Sequence, residues 1–523
     1  FDDNAGVFMF YDDMCINIKL ETHNSPSALD PYGGAMTGSG GVFRDIIGTG
    51  KGAKTILSID IFCFADPNLP EEQLPDGCLD PMYLQQRVID GVRDYGNRMG
   101  VPTANGSIHY HKNFRAKPTV MVGALGILPE KYAQKGVPEH GDLVVTIGGK
   151  TGRDGIHGAT FSSGDMTAET ATVHSSAVQI GNAIEEKKFA DALLEARDAD
   201  CMRALTDCGA AGFASAITEM GEDIGVEVDI SKAPLKYAGL APWEIWISES
   251  QERMVAAIIP EKYQEFADIC AKHGVEIAAL GTFGSSENQE PTLHVTYKDQ
   301  DLVELEYDFL KNGLAQREMV ADWQRPEIEE IEVEVTDWDE TIKKILSHGN
   351  VNSKEKIVRQ YDHEVQGGIV MKPYGGVHRD APNDAVVVQP IPNKPYGLVE
   401  AHGMNPVLND IDPYWGSVWA IAEGMSNLVA AGGDPTKAVL TNNYVTATPD
   451  NHVMGALDMM VDAVCDGMEA LERPVISGKD SLSSRFKRKD IEGNVVEVID
   501  VPPVLTITAA SRIDDISKTV TTD

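Results

Sequence analysis

A block that occurs twice constrains this chain more than any other feature. In the first copy a helix ends at Met99–Gly100, the chain reads VPTANGSIHYH, and Pro118 opens the apolar strand PTVMVGALGIL. In the second a helix ends near Leu471–Glu472, the chain reads RPVISGKDSLSSR, and Pro503 opens PVLTITAAS. Each copy runs helix, proline, a turn with glycine and serine, proline, strand. The pattern predicts a duplicated domain, not a short-period solenoid; the competing explanation is chance agreement between common turn residues. With 523 residues and domains of about 100–200 residues, three or four domains are expected.

Around the copies, glycine-rich turns alternate with β-branched runs and amphipathic helices, an α/β or α+β pattern. Strands are expected at CINIKLE, AKTILSIDIF, DLVVTIGG, ERMVAAIIP, AVVVQP and KAVLTNNYV. Helices are expected at 82–99, 181–195, 210–222, 260–273, 415–431 and 453–472. A glycine-rich region fills about 140–320, and a charged connector follows in which EIEVEV alternates like a strand.

Composition excludes several classes. No run of 18 apolar residues occurs, so no transmembrane helix is expected. The start, FDDNAGVFMFYDD, is acidic and lacks the basic region of a signal peptide; it reads as a chain entered midway. A net charge of -37 repels nucleic acid and anionic membranes, while leaving small anionic ligands to local donors. Seven cysteines without a CxxC pair fit reduced thiols in a cytoplasmic protein.

The densest chemistry lies in KLETHNSPSALDPYGGAMTGSGGVFRDIIGTGKGAK, residues 19–54. Alternation puts Lys19, Glu21 and His23 on one strand face, with Asn24–Ser25–Pro26 as the turn at its end. Lysine can neutralise phosphate, glutamate can hold Mg²⁺, and histidine can move a proton. Gly33, Gly34, Gly38, Gly40 and Gly41 read as freeing backbone N–H groups for an anion; Arg44 adds a phosphate fork and Asp45 a second magnesium ligand. The bland alternative is a polar strand and a flexible turn. The sequence contains no GK[ST] of a Walker A loop here.

Residues 148–163, GGKTGRDGIHGATFSS, read as an anion-cradling loop with Lys150, Arg153 and His157, or as a long surface loop. Asp207 in TDCGAAGF is a magnesium ligand or a helix cap. Glu249, Ser250 and Gln251 precede the strand MVAAIIP and form a substrate edge or a plain turn. Glu423 and Asn427 share one helix face, and Asp384 heads a strand; together they could hold Mg²⁺ or form a solvated face.

Taken in order, LETHNSPSALDPYGGAMTGSGGVFRDI, GGKTGRDGIHGATFSS, TDCGAAG, SESQERM, AEGMSNLVAAGG and SGKDSLSSRF resemble the phosphoribosylformylglycinamidine synthase family over nearly the whole chain. The wider superfamily includes aminoimidazole ribonucleotide synthetase, selenophosphate synthetase and thiamine-phosphate kinase. The resemblance implies a duplicated aminoimidazole ribonucleotide synthetase-like fold of paired N-type domains with a glycine-rich C-type lid. The expected segments are 1–135 (first N-type domain, truncated at its start), 136–325 (lid), 326–359 (connector) and 360–523 (second N-type domain), with the second lid absent.

It further implies an ATP- and Mg²⁺-dependent ligase of purine biosynthesis that converts formylglycinamide ribonucleotide to its amidine through an iminophosphate. Ammonia would come from glutamine through a glutaminase partner, because no cysteine here sits in a nucleophile elbow. By motif position, Lys19, Asn442 and Gly478 would meet ATP. Glu21, Asp45 and Asp207 would hold Mg²⁺, with Asp384, Glu423 and Asn427 at an auxiliary site. His23 would be the base; Thr22, His23, Asn24, Ser25, Arg44, Gln179, Glu249, Ser250, Gln251 and Ser481 would touch substrate. Two departures stand out. The family turn His-Asn-His-Pro is His23-Asn24-Ser25-Pro26 here, and Gly478-Lys479-Asp480-Ser481 follows the large family members, which leaves Lys479 without a metal role. The competing expectations are an inactive nucleotide-binding fragment and another ATP-dependent synthetase or kinase of the superfamily.

Overall fold

Two sheets of the same construction carry the duplication. The first has strands in the order Gly6–Met9, Met14–Thr22, Thr119–Pro129, Lys54–Phe64, Thr103–Tyr110. The second runs Ile369–Met371, Ala385–Val388, Gly397–Gly403, Val504–Ile513, Val439–Val445, Val475–Ser481. From Ala385–Val388 onward its pairings repeat those of the first sheet in order and direction: three antiparallel steps, then a parallel one. The helices repeat too. Asn24–Leu29, Pro31–Gly48 and Pro81–Met99 in the first copy correspond to Pro406–Ile411, Pro413–Ala430 and Asn451–Leu471 in the second. The computed structural model describes residues 3–168, 170, 178–285, 290–328, 334–490 and 492–522.

The two sheets share one core. Ile16, Ile18, Leu57, Ile59, Leu125 and Ile127 of the first pack with Val386, Val388, Leu398, Val445 and Val504 of the second, all buried. Burying these faces against each other is what pairs the copies, since apolar area removed from water is the main driving term. The helices lie on the opposite faces. The first copy's helices are covered in turn by a seven-stranded sheet, ordered Gln300–Glu306, Thr292–Tyr297, Val226–Asp229, Ile277–Phe283, Leu143–Gly148, Arg253–Ile258, Met202–Asp207. Among the described residues no helix is long and apolar enough to cross a membrane. The strand expected at EIEVEV falls largely outside the described residues.

One reading from the sequence changes. Residues 24–48 are not a turn and a glycine-rich loop but two helices, Asn24–Leu29 and Pro31–Gly48. The start of the longer one is set by the Asp30 side chain, which accepts from Gly33 N, and by Pro31 in the first turn. Its glycines therefore spend their N–H groups on the helix ladder, not on an anion. They serve close approach instead: a Cβ on Gly34 would come within 2.5 Å of the Pro26 backbone, and one on Gly38 within 2.9 Å of the His23 Cβ.

Candidate active site

The strand Met14–Thr22 delivers Lys19 and Glu21 to a cleft of about 1000 Å³ between the paired sheets and the seven-stranded sheet. Lys19 Nζ lies 3.3 Å from Glu21 Oε1 and 3.6 Å from Asp45 Oδ2. Burial opposes the lysine's charge, but Asp45 and Glu21 outweigh it and push its pKa up. Asp45 comes from the helix Pro31–Gly48 and Asp207 from the end of Met202–Asp207, and both line the same cleft. Burial, then the charge of Asp207, pushes the Asp45 carboxyl well above its ordinary value. Burial likewise raises Asp207, with Arg44 and Lys19 pulling it back.

Asp207 is not a helix cap. The following helix starts at Phe213 with Gly212 in the cap position, and the Asp207 Oδ1 accepts from Asn4 Nδ2 at 3.1 Å. Among the described residues no three His, Cys, Asp or Glu side chains converge at metal-ligand spacing. The donor chemistry nonetheless fits a hard cation: the charges of Asp207 and Glu21 add to burial in raising Asp45, and the Lys19 ammonium sits between Glu21 and Asp45, so the cluster suits a positive charge with oxygen ligands.

His23 caps the helix Asn24–Leu29 and lines the cleft. Its Nδ1 pairs with Gly34 O, which assigns the proton to Nδ1 and leaves Nε2 as the free base nitrogen. Burial lowers its pKa, so the ring is neutral near pH 7. Thr22 and Ser481 touch through their hydroxyls, bringing the second copy to the first copy's site. Lys479 does the same, its Nζ 3.2 Å from Glu21 Oε2. The sequence reading left Lys479 aside; its Gly-Lys-Asp-Ser setting was visible, but no local signal ties it to Glu21.

The SESQER segment is held by Arg253, fully buried over the Phe213 ring, whose Nε donates to Ser250 O at 2.8 Å and Nη1 to Thr151 Oγ1 at 2.9 Å. Alternate residues then face the cleft: Glu249 and Gln251 line it. Gln179 lines it too, donating to Glu249 Oε2 at 3.0 Å, while its buried Oε1 finds no partner among the described residues. Ser250 points the other way, donating to Asp154 Oδ1 at 2.8 Å, so its place as a substrate contact is not what the structure gives.

Four other expected contacts also lie elsewhere. Asn24 is buried and accepts from Val120 N; Ser25 is buried and donates to Ser162 O. Asn442 and Gly478 oppose each other on adjacent strands, and neither reaches the cleft wall among the described residues. Arg44 borders the cleft, but its fork is engaged inside: Nη1 donates to Glu186 Oε2 at 3.1 Å and Nη2 to Gln251 Oε1 at 2.7 Å. In the 148–163 loop, Lys150 pairs with Glu276 and Arg153 with Glu244, so no anion cradle forms from them; Gly158, Ser162 and Ser163 reach the cleft.

The duplication sets a second position apart. Equal registers place Ala401 where the first copy has Lys19, and Gly403 where it has Glu21. Asn427 stands in the helix Pro413–Ala430 where Asp45 stands in Pro31–Gly48, both helices being 18 residues long and opening Pro-Tyr. There Glu423 accepts from Met404 N at 2.9 Å and Asn427 donates to His402 O, with exposed Asp384 near enough to help burial raise the Glu423 carboxyl. The cation–carboxylate pair of the first site has no counterpart at these positions.

A duplicated α/β unit, a lid sheet and a carboxylate-lined cleft between them define an AIR synthase-type protein. Residues 139–294 match the model of the AIR synthase related protein C-terminal domain, and residues 2–128 and 382–498 match that of the N-terminal domain. A phosphoribosylformylglycinamidine synthase subunit PurL of Thermoplasma volcanium is 34% identical over 530 residues, covering 100% of this chain and 66% of that one. The PurL of Picrophilus torridus is 32% identical, covering 100% and 68%. Among solved structures, a Thermotoga maritima PurL complexed with FGAR superposes with a TM-score of 0.79 at 27% identity, covering 100% of this chain and 77% of that one. One complexed with ATP gives 0.75 at 25% identity, covering 99% and 75%. The chain belongs to the phosphoribosylformylglycinamidine synthase subunit PurL family, and it spans about two thirds of the length of the curated relatives it matches.

Proposed function

We propose that this chain carries the ATP-using site of a carbon–nitrogen ligase that turns formylglycinamide ribonucleotide into its amidine in purine biosynthesis. The observation that carries this reading is the convergence of Lys19, Glu21, Asp45 and Asp207 on one cleft with a neutral His23 on its wall. The amide oxygen of the substrate would attack the terminal phosphorus of ATP, releasing ADP and leaving an iminophosphate. Ammonia would then add to the imidate carbon, expel phosphate and lose a proton to a base. Lys19 and Lys479 supply positive charge to the triphosphate, where developing negative charge needs fixed partners. Glu21, Asp45 and Asp207 would hold Mg²⁺, which when bound neutralises phosphate oxygens. His23 Nε2 would accept the proton shed by the incoming nitrogen.

Gln179, Glu249 and Gln251 would position the ribonucleotide at the opposite wall. Ammonia would come from a glutaminase partner; relatives include a structure described as PurLQS from Thermotoga maritima. The seven unbridged cysteines accord with a cytoplasmic setting.

The test is turnover of formylglycinamide ribonucleotide with ATP and ammonium, followed by phosphate release. His23→Ala should cut kcat at least about 100-fold, the usual scale for a lost general base, while ATP binding by calorimetry persists. Unchanged turnover removes His23 as the base. Phosphate release with a different acceptor and none with this ribonucleotide assigns the cleft to another synthetase reaction.

A further inference from the structure

The two copies are not identical, and they differ most in one connection. In the first copy the strands Thr103–Tyr110 and Thr119–Pro129 are joined by residues 111–118, with a single turn at Lys112–Arg115. In the second, Val475–Ser481 and Val504–Ile513 are joined by residues 482–503, which fold into a hairpin, Arg485–Lys489 against Val495–Asp500. The extra hairpin lies against the lid at the first copy's cleft.

The contact is specific and uses backbone. Met166 N donates to Arg485 O at 3.0 Å, and Lys487 N donates to Met166 O at 2.8 Å, a parallel bridge centred on Phe486. Met166 and Phe486 are buried together with Ala28, Ala116 and Ile499 in a small separate core. Lys487 Nζ lies 2.6 Å from Asp165 Oδ2, and Thr448 donates to the same carboxylate. At the base of the hairpin, Ser483 Oγ donates to Ser162 O at 2.6 Å, and Ser483 O accepts from buried Lys117 Nζ at 2.8 Å. Ser162, Ser163 and Ser483 form part of the cleft wall. The lid segment is therefore pinned at residues 162 and 166 by the second copy. It follows a run with five glycines in positions 148–158, a sequence that loses much conformational freedom when ordered and needs outside contacts to hold it.

We infer that the second copy's hairpin positions the lid segment around Ser162 and Ser163 at the first copy's cleft, with Asp165, Met166, Phe486 and Lys487 as its positioning residues. The second copy then serves the first not through a mirrored reaction but by fixing part of the cleft in which the ribonucleotide is proposed to sit. The role in turnover rests on the ligase reading above; the contact itself does not.

Two readouts separate the two claims. Amide hydrogen exchange on the unaltered chain, without substrate, should show protection at Met166 and Lys487. Asp165→Ala and Lys487→Ala should each speed exchange across 160–168 while thermal midpoints confirm folding, and Lys487→Arg should restore protection. In turnover with ATP and ammonium, the two alanine variants should raise KM for formylglycinamide ribonucleotide about tenfold with kcat nearly unchanged, the pattern of lost ground-state and transition-state binding alike. Exchange that is unaffected by either alanine variant overturns the clamp; faster exchange with unchanged KM overturns its positioning role. Absence of ligase turnover in the unaltered chain would sink the ligase reading, and exchange would still decide the clamp.

Discussion

The hydroxyl of Tyr95 lies 2.8 Å from Glu186 Oε2 and 2.8 Å from Glu252 Oε1, all three groups being buried. A phenol has one proton and can donate to one of them only, so the other carboxyl must carry a proton and donate back. Burial pushes Glu186 up to about 8, with Arg44 opposing, and burial raises Glu252 as well. Asn182 N and the Arg44 guanidinium also face the pair, and the charge of Lys236 acts on Glu252. An acid raised above its ordinary 4.5 contributes stability below that pH and loses it as pH climbs to about 8. Glu186→Gln should therefore flatten the fall in melting temperature between those pH values; a slope equal to that of the unaltered protein would refute the shared proton. At this scale the sequence showed Lys19, Glu21, Asp45 and Asp207 by their types. It misassigned the Arg44 fork because its partners, Glu186 and Gln251, lie 142 and 207 positions away.

Among the elements, the helix Pro31–Gly48 shows where periodicity fails. Its glycines at positions 33, 34, 38, 40, 41 and 48 dilute the apolar stripe, so the segment reads as a loop although Asp30-Pro31 is a helix-start signature. The physical reason is packing: the helix lies so close to Asn24–Leu29 that a side chain does not fit. Gly34→Ala should destabilise by about 1–3 kcal/mol, the cost of overpacking against backbone, despite the better helix propensity of alanine. A chemical-denaturation midpoint equal to or above that of the unaltered chain would show that the neighbouring helix shifts freely. The strands were far more legible. Thr119–Pro129 lies at the centre of its sheet and is buried along almost its whole length, which is why an unbroken apolar run marked it.

For the whole molecule, the duplication was written in the proline-bounded blocks, but the way the copies meet was not, since pairing faces leave no local mark. That meeting carries the last prediction. At the interface Ser107 Oγ of the first copy lies 2.9 Å from His109 Nε2 and 2.9 Å from His402 Nε2 of the second. Burial lowers His109 to about 3, with His402 and Lys354 adding to it, and burial lowers His402 to about 4. Both rings are neutral in the folded pair. Nearby, Asn105 Nδ2 donates to Glu400 Oε2 at 3.0 Å, and burial raises that carboxyl to about 8. The signs differ. Below the ordinary histidine value of 6.5 the unfolded chain binds protons the folded one refuses, so the histidines' contribution is lost as pH falls toward 4. Glu400 acts oppositely, its contribution falling as pH rises from 4.5 to about 8, so below 4.5 it adds no slope. The two imidazoles should thus contribute to the acid limb of stability, in the same sense as His23 and His111, which burial also lowers. Replacing both, His109→Gln with His402→Gln, should remove their share of the rise in melting temperature between about pH 4 and 6.5, so that above 4.5 the opposing fall from Glu400 stands out and the alkaline limb stays in place. If the acid limb is as steep as before, protons enter the fold elsewhere and the joint between the copies is not its acid-sensitive element.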